Sequence, residues 1–142
     1  MGIKVCTGIK EYDLEGVNGV FKIAFNPTDN FFVQKIVDAI ETLDAAEAKY
    51  EELIRNEEDP VKVFEAGDAK DKEMRCILDG IFGEGFCHTL FGTISVYAGD
   101  GEGFPLWLNI LFAVLEEMST QYEIEKAAAN PRLEKYIGKY KK

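Results

Sequence analysis

The sequence predicts a mainly helical α+β fold, with a small N-terminal β-hairpin and about five helices in a single compact domain spanning residues 1–142. Three observations support this prediction. Large apolar residues alternate with polar or small ones over residues 10–26, as is typical of strands. Over residues 28–125, apolar residues instead recur every three or four positions, as in amphipathic helices. A length of 142 residues also suits one domain and is too short for two.

The hairpin is predicted over residues 10–26. Tyr12 and Leu14 share one face of the first strand, and the second strand alternates phenylalanine and isoleucine with lysine and alanine. Between the two strands lies the pair Asn18-Gly19, which readily adopts the two positive φ angles of a type I′ turn. We therefore expect antiparallel strands that reverse direction at this pair.

A long amphipathic helix is predicted over residues 28–57. Either Thr28 or Asp29 can cap its start, because the side-chain oxygen of each can accept a hydrogen bond from the first turn. Neither proline nor glycine interrupts the pattern before residues 56–60, where the helix is expected to end.

Asp68 is expected to cap the start of a second helix, after a short apolar segment over residues 61–64. Its predicted buried stripe consists of Met74, Ile77, Leu78 and Ile81. Gly83 and Gly85 should end this helix, since glycine is a poor helix former. A short helical turn is then predicted over residues 86–91, closed by a glycine.

The last third of the chain contains a glycine-rich connector over residues 95–103 and two predicted helices. Pro105 suits the first turn of a helix over residues 105–125. Apolar residues cover much of that helix's circumference, so it is either central to the core or also buried by a partner. A basic C-terminal helix, opening at Asn130, completes the prediction over residues 126–142.

Composition and charge exclude several classes of function. The chain has 46% hydrophobic residues, so a disordered protein is excluded as the main description. It carries 16 Lys and Arg against 26 Asp and Glu, a formal charge of −10, which disfavours nucleic acids and anionic membranes as partners. No apolar run reaches the roughly 20 residues of a membrane span. Three unevenly spaced cysteines indicate reduced thiols, and hence a cytoplasmic protein.

The charge is unevenly distributed along the chain. Residues 126–142 carry six basic residues and one acidic residue, whereas residues 1–125 carry ten and 25, so the two parts have charges of +5 and −15. The basic segment fits a solvated terminal helix whose cations suit its own dipole. It also fits a docking element for an acidic neighbour, such as a second copy of the chain.

No arrangement of residues in the sequence indicates catalysis, a cofactor or a metal. Cys87 and His88 are adjacent, but neighbours on a helix point about 100° apart, and no third residue is available to orient them. Together with Cys76 they match no spacing of a zinc site. The loop over residues 99–103 lacks the lysine of a phosphate-binding loop. We therefore predict a protein that is not an enzyme and holds neither cofactor nor metal.

Residues 76–92, here named the FG-x-G element, run Cys-Ile-Leu-Asp-Gly-Ile-Phe-Gly-Glu-Gly-Phe-Cys-His-Thr-Leu-Phe-Gly. This segment resembles the (I/V)D-x-(I/V)FG-x-G…(I/L)FG stretch of tail assembly chaperones from long, non-contractile-tailed phages and prophages of Gram-positive bacteria. The order of the surrounding elements is also similar over residues 21–142: a β start, a long acidic helix, an apolar helix and a basic end. Cys87, His88 and the loop over residues 97–103 depart from the family pattern.

The resemblance implies a non-enzymatic protein that binds the tape-measure protein and keeps it soluble until the tail is built. It further implies self-association, a possible contact with tail-tube protein, a location in the bacterial cytoplasm and absence from the mature virion. Two alternatives remain open from the sequence: a structural head–tail or tail-associated protein, and a small acidic regulator that binds one host protein.

The residues predicted to contact a client or a second copy are apolar and lie in the FG-x-G element. They are Ile81, Phe82, Phe86, Leu90 and Phe91. Each of them fits a plain core position equally well, because large apolar side chains are most often buried.

Overall fold

The computed structural model describes the backbone of residues 1–140 and the side chains of residues 1–126. In chain order the elements are β1 (Lys10–Gly16), β2 (Gly19–Phe25), α1 (Asn30–Arg55), α2 (Pro60–Phe82), α3 (Phe86–Phe91) and α4 (Leu106–Tyr140). The mainly helical α+β prediction is confirmed, with four helices in the described part of the chain instead of about five. The two strands form an antiparallel sheet in which Lys10 pairs with Phe25.

The hairpin turn lies one residue earlier than the sequence predicts. Gly16 pairs with Gly19, so the two central residues of the turn are Val17 and Asn18. No residue other than glycine has a positive φ in the described chain, whereas Gly19 has a φ of 120°. The predicted type I′ turn at Asn18-Gly19 is therefore wrong, and the reason is the contact that the turn makes with α3.

The turn of the hairpin docks on the last turn of α3. The backbone N–H of Val17 donates to the carbonyl of Leu90 at 3.1 Å. Asn18 donates twice, from its backbone N–H to the carbonyl of Thr89 at 2.9 Å and from its side-chain amide to that of His88 at 2.9 Å. The last carbonyls of a helix have no partner within the helix, so the hairpin caps α3 from 70 residues away.

Gly16 allows this close approach. A Cβ at this position would lie 2.3 Å from the Cα of Leu90 and 2.7 Å from the carbonyl oxygen of Thr89. Both are backbone atoms, which cannot rotate away as the end of a side chain can. The close docking of the hairpin on α3 therefore requires glycine.

Helix α1 confirms the long amphipathic helix, and Asp29 is its cap. The Asp29 carboxylate accepts from the backbone N–H of Phe31 at 3.0 Å. Thr28 instead donates its hydroxyl to the side chain of Asn26 at 2.8 Å. Of the two caps that the sequence leaves open, the structure uses the aspartate.

Helix α2 begins nine residues earlier than predicted, because its cap is Asp59 instead of Asp68. Asp59 caps it by accepting from the N–H of Val61 at 3.0 Å, and Pro60 occupies the first helical position. The predicted start at Asp68 is wrong, because Asp-Pro is a strong helix start and the helix then continues through Gly67. Gly67 is useful there, since a Cβ would lie 2.9 Å from the hydroxyl of Tyr97.

The core lies where α1, α2, α3, the inner face of the hairpin and the first half of α4 meet. Its fully buried larger side chains are Ile36, Leu43, Met74, Leu78, Phe86, Val96 and Leu111. A run of aromatic rings joins the hairpin to α1, with Phe25 stacked on Tyr12 at 4.9 Å and on Phe32 at 4.5 Å between ring centroids.

Helix α4 is one continuous helix, so the separate C-terminal helix predicted to open at Asn130 does not form. The three alanines at residues 127–129 are the strongest helix formers and favour continuation up to the Asn-Pro pair. The predicted docking by basic side chains over residues 132–142 lies outside the described side chains. In the described part of the chain, no helix has the length and apolar character needed to span a bilayer.

Candidate interaction surfaces

The five predicted contact residues belong mainly to the core of the chain itself. Phe86, Leu90 and Phe91 are buried, whereas Ile81 and Phe82 are half-buried. The ring of Phe86 stacks on Phe82 at 4.4 Å and meets Phe91 edge-on at 6.4 Å between centroids. In this conformation the FG-x-G element therefore uses its large apolar residues to hold the fold together.

The remaining residues of the FG-x-G element build the backbone of α3. Gly85 precedes α3 and has no side chain to cap it, so Asp79 on α2 acts from a distance and accepts from the N–H of Cys87 at 2.9 Å. Gly83 ends α2 with a φ of 127°, and Gly85 has a φ of 87°, a region that favours glycine. The aspartate and the glycines of the motif therefore have structural explanations.

Two further polar residues of α2 fix the loop after α3. Asp71 accepts from the guanidinium of Arg75 at 2.8 Å and from the backbone N–H of Val96 at 2.8 Å. Arg75 also donates to the carbonyls of Gly92 and Ile94, at 2.8 and 2.7 Å. One side of α2 thus supplies hydrogen bonds to a segment that has no regular secondary structure.

The geometry around Cys87 does not suit a nucleophile. Its thiol is buried and donates to the carbonyl of Arg75 at 3.8 Å. Burial, followed by the nearby charge of Asp79, raises the pKa of the thiol far above its ordinary value, so the thiolate does not form near neutral pH. His88 is exposed. Among the described residues, no three His, Cys, Asp or Glu side chains are grouped as a metal site.

A buried ion pair joins α1, α2 and the start of α4. Lys70 is 7% exposed, and its ammonium lies 2.6 Å from the carboxylate of Glu47 and 4.0 Å above the ring of Tyr97. Glu47 also accepts from the indole N–H of Trp107 at 3.0 Å. Because the charges are paired and hydrogen-bonded, this group fixes how α4 packs on the helical hairpin of α1 and α2.

The glycine-rich loop is folded around Asp100. Its carboxylate accepts from the backbone N–H groups of Glu102 and Phe104, at 2.7 and 3.2 Å, and from the side chain of Asn109 at 2.8 Å. These bonds lower the pKa of Asp100 below its ordinary value. The loop was predicted to be a simple connector, but its internal hydrogen bonds give it a defined shape at the start of α4.

A groove lies between β1 and α4, here named the β1–α4 groove. It has two adjoining parts, of about 230 and 450 Å³, that share Leu14, Asp13 and Ile110. Its lining is mostly apolar, and its acidic residues are Asp13, Glu15 and Glu117. The core residues Leu90 and Phe91 line one end, so two of the five predicted contact residues border this groove.

A second surface lies on the outer side of α4, here named the α4 face. It consists of Phe104, Leu108, Phe112, Leu115 and Tyr122. The rings of Phe104 and Phe112 meet edge-on at 6.1 Å. Phe112 and Tyr122 are 45% and 54% exposed, although they are large and lie on a helix whose other side is in the core. In the described part of the chain, Leu108 and Leu115 are half-buried against the core, whereas Phe104, Phe112 and Tyr122 remain about half exposed.

Sequence reasoning missed the supporting residues and the α4 face for different reasons. Nothing in the sequence distinguishes Asp71 and Arg75 from ordinary surface charges, because their backbone partners come from distant parts of the chain. For the α4 face, the sequence gives a partial signal. Apolar residues surround the helix over residues 105–125, and this pattern is compatible with burial by a partner. Which side of the helix would remain exposed required the packed structure.

Comparisons of the chain with protein-family models, with curated proteins and with solved structures find no match.

Proposed function

We propose that this chain is a tail assembly chaperone of a long, non-contractile-tailed phage or prophage. It binds the tape-measure protein, a very long helical chain, and keeps it soluble during tail assembly without catalysing a reaction. The proposal joins the resemblance of the FG-x-G element to the physical properties of the exposed surface.

The observation that carries the proposal is the α4 face. Phe112 and Tyr122 lie about three helical turns apart, with Leu115 between them on the same side of α4. Apolar residues at such spacings form a stripe against which the apolar side of another helix can pack. Aromatic residues are also enriched at protein interfaces, and tyrosine is among the residues that contribute most to binding energy there.

The charge of the chain supports the same role. A formal charge of −10 keeps a complex with an apolar client dissolved, because like-charged complexes repel one another. It also disfavours nucleic acid as the partner. On this proposal the protein acts in the cytoplasm of the bacterial host, associates with further copies of itself, contacts tail-tube protein at most transiently and is absent from the finished virion.

The test is co-expression with the long helical tape-measure candidate of the same genome, followed by measurement of how much client remains soluble. The wild-type chain is expected to raise the soluble fraction and to co-purify with the client. A double variant, Phe112→Asp with Tyr122→Asp, should lower co-purification at least about tenfold, because truncation of a hot-spot aromatic costs about 2 kcal/mol or more and a tenfold loss corresponds to about 1.4 kcal/mol.

The matched control is Phe31→Asp with Phe64→Asp, which changes two exposed aromatic residues outside the α4 face. These changes should leave co-purification unaltered. If the client is equally insoluble with and without the wild-type chain and nothing co-purifies, the proposal is overturned. Detection of the chain in purified virions by mass spectrometry would instead assign it a structural role in the particle.

A further inference from the structure

A pocket of about 440 Å³ lies between α1 and the start of α4, and is here named the Asp44 pocket. Phe104 and Leu108 line this pocket and also belong to the α4 face, so the two surfaces are continuous. We propose that the Asp44 pocket binds a lysine or arginine side chain of the client, at one end of the helix that packs on the α4 face. This inference rests on the proposed function and deepens it, because it defines which client helices are bound.

The wall of the pocket formed by Glu47 and Tyr97 already holds an ammonium group of the chain itself. The Nζ of Lys70 lies 2.6 Å from the Glu47 carboxylate and 4.0 Å from the centre of the Tyr97 ring. A cation in this position is attracted by the carboxylate and by the face of the ring. The other oxygen of Glu47 accepts from the indole N–H of Trp107 at 3.0 Å, so both oxygens are engaged.

Asp44 supplies a second carboxylate to the same pocket. It lies three residues before Glu47, on the same face of α1. Among the described residues, Asp44 is exposed and makes neither a side-chain hydrogen bond nor an ion pair. The next base along α1, Lys49, pairs instead with Glu73 of α2 at 3.3 Å. Beside Asp44 the pocket is lined by the half-exposed ring of Phe104, so a carboxylate and an aromatic ring are again available to a cation.

The charge around the pocket favours a cationic side chain. In the part of the chain whose side chains are described, no lysine or arginine lines the pocket. The ends of the loop over residues 99–103 line it, and that loop carries two further acids, Asp100 and Glu102. Lys70 contacts the lining, but its charge is balanced by Glu47. The surroundings of the pocket are therefore negative overall, which attracts a basic group and disfavours an acidic one.

The apolar part of the pocket suits the stem of a basic side chain. Pro105 and Leu108 line it and are half-buried. Lysine and arginine lay their methylene groups along apolar surface while the charged end remains at a polar edge. From Leu108 to Tyr122 the α4 face extends about 21 Å, which is about four helical turns. The client helix therefore needs an apolar stripe of about four turns with a base at one end.

The test measures how the full chain binds overlapping peptides of about 25 residues, which cover the tape-measure candidate of the same genome and are long enough for such a stripe. Fluorescence anisotropy of labelled peptides gives the affinities. The peptides that bind the wild-type chain should carry the apolar stripe with a lysine or arginine at one end. Asp44→Lys should weaken their binding at least about tenfold, because like charges then meet across the contact.

A reversed charge on the peptide separates a lost contact from a misfolded chain. Replacement of the peptide's basic residue by glutamate should weaken binding to the wild-type chain and restore binding to Asp44→Lys. Glu52→Lys is the matched control, because it makes the same change of charge at an exposed acid of α1 outside the pocket. This variant should bind the original peptides like the wild type.

The outcomes distinguish this inference from the proposed function. If the wild-type chain binds no peptide, or binds peptides without a base equally well, the inference is overturned. It is also overturned if Asp44→Lys binds like the wild type or if the glutamate peptide gives no rescue. The proposed function is decided separately by the solubility of the intact client, and an insoluble client would remove both.

Discussion

Helices α3 and α4 are both rich in large apolar residues, but these residues are buried in α3 and partly exposed in α4. The apolar sides and both ends of α3 are occupied: its aromatic residues pack in the core, Asp79 caps its start, and the turn at Val17 and Asn18 caps its end. In α4 the side that carries Trp107 is buried, whereas the side that carries Phe112 faces outward.

This difference shows how an interaction surface can be distinguished from a core element. The FG-x-G element has its backbone groups and its side chains satisfied by the chain itself. In the α4 face the backbone groups are hydrogen-bonded within the helix, but the apolar side chains of Phe112 and Tyr122 remain about half exposed. An apolar sequence therefore indicates a partner only where the rest of the chain supplies nothing to cover it.

The largest effect should come from emptying the centre of the α3 cluster. Phe86→Ala removes a side chain that is 0% exposed and leaves a cavity, so the free energy of unfolding should fall by about 3–5 kcal/mol. Urea unfolding followed by circular dichroism measures this loss. Phe31→Ala, at an exposed site, should change stability by less than about 0.5 kcal/mol. Equal losses in the two variants would mean that α3 is not the packed region described here.

The docking of the hairpin turn should be the next most sensitive feature. Gly16→Ala forces a Cβ against the backbone of Leu90, so the hairpin must shift and stability should fall by about 1–3 kcal/mol. Gly80→Ala is the control, because no atom lies within 4 Å of its new Cβ and alanine favours a helix. That variant should gain about 0.5–1 kcal/mol. Thermal unfolding should show a lower melting temperature for Gly16→Ala and a higher one for Gly80→Ala than for the wild type.

Removal of the remote cap of α3 should cost less. Asp79→Ala leaves the buried N–H of Cys87 without an acceptor, and we expect a loss of about 1–2 kcal/mol. Asp79→Asn retains an acceptor oxygen and should recover at least half of that loss. Hydrogen exchange of the Cys87 amide gives a local measurement, and an exchange rate unchanged in Asp79→Ala would contradict the cap.

The buried thiol should make stability depend on alkaline pH. Because the pKa of Cys87 is raised in the folded state, the folded chain keeps a proton that the unfolded chain loses above pH 9.0. The stability from this group is thus fully present below pH 9.0 and is lost as the pH rises, at no more than about 1.4 kcal/mol per pH unit. Between neutral and alkaline pH, the free energy of unfolding should fall less steeply with pH in Cys87→Ala than in the wild type. The same dependence on pH in both proteins would contradict a protonated thiol.

The smallest effect on stability should come from the α4 face itself. Phe112→Ser removes one edge contact with Phe104 on a half-exposed side chain, so the loss should stay below about 1 kcal/mol. The same measurement as for Phe86→Ala applies. A loss comparable to that of Phe86 would show that the face is part of the core and would remove the basis for treating it as a binding surface.

Much of the fold could be predicted from periodicity and helix signals alone. The hairpin, the long α1, the short α3 and the apolar α4 follow from local patterns, and each is confirmed in type. The errors lie where a distant contact overrides the local signal. Asn18-Gly19 favours one turn, but docking on α3 selects another, because the docked turn donates to the carbonyls of Thr89 and Leu90, which the helix itself leaves without partners.

The candidate surfaces were less predictable than the fold. Phe86 and Phe112 are the same residue type on helices of similar character, and nothing local distinguishes the buried ring from the exposed one. The distinction depends on which neighbours reach each side of the helix, and these come from the hairpin, α2 and the loop around Asp100. Such neighbours are separated by tens of residues in the sequence.

The contact between Asn18 and α3 also affects when the hairpin becomes stable during protein synthesis. A two-stranded hairpin is at best marginally stable by itself, and the acceptor of the Asn18 side chain lies 70 residues later in the chain. At 5–20 residues per second, the ribosome needs about 4–14 seconds to reach that acceptor. During this interval the hairpin has no helix end on which to dock. The first strands to be synthesised are therefore among the last elements to be stabilised by their tertiary contacts.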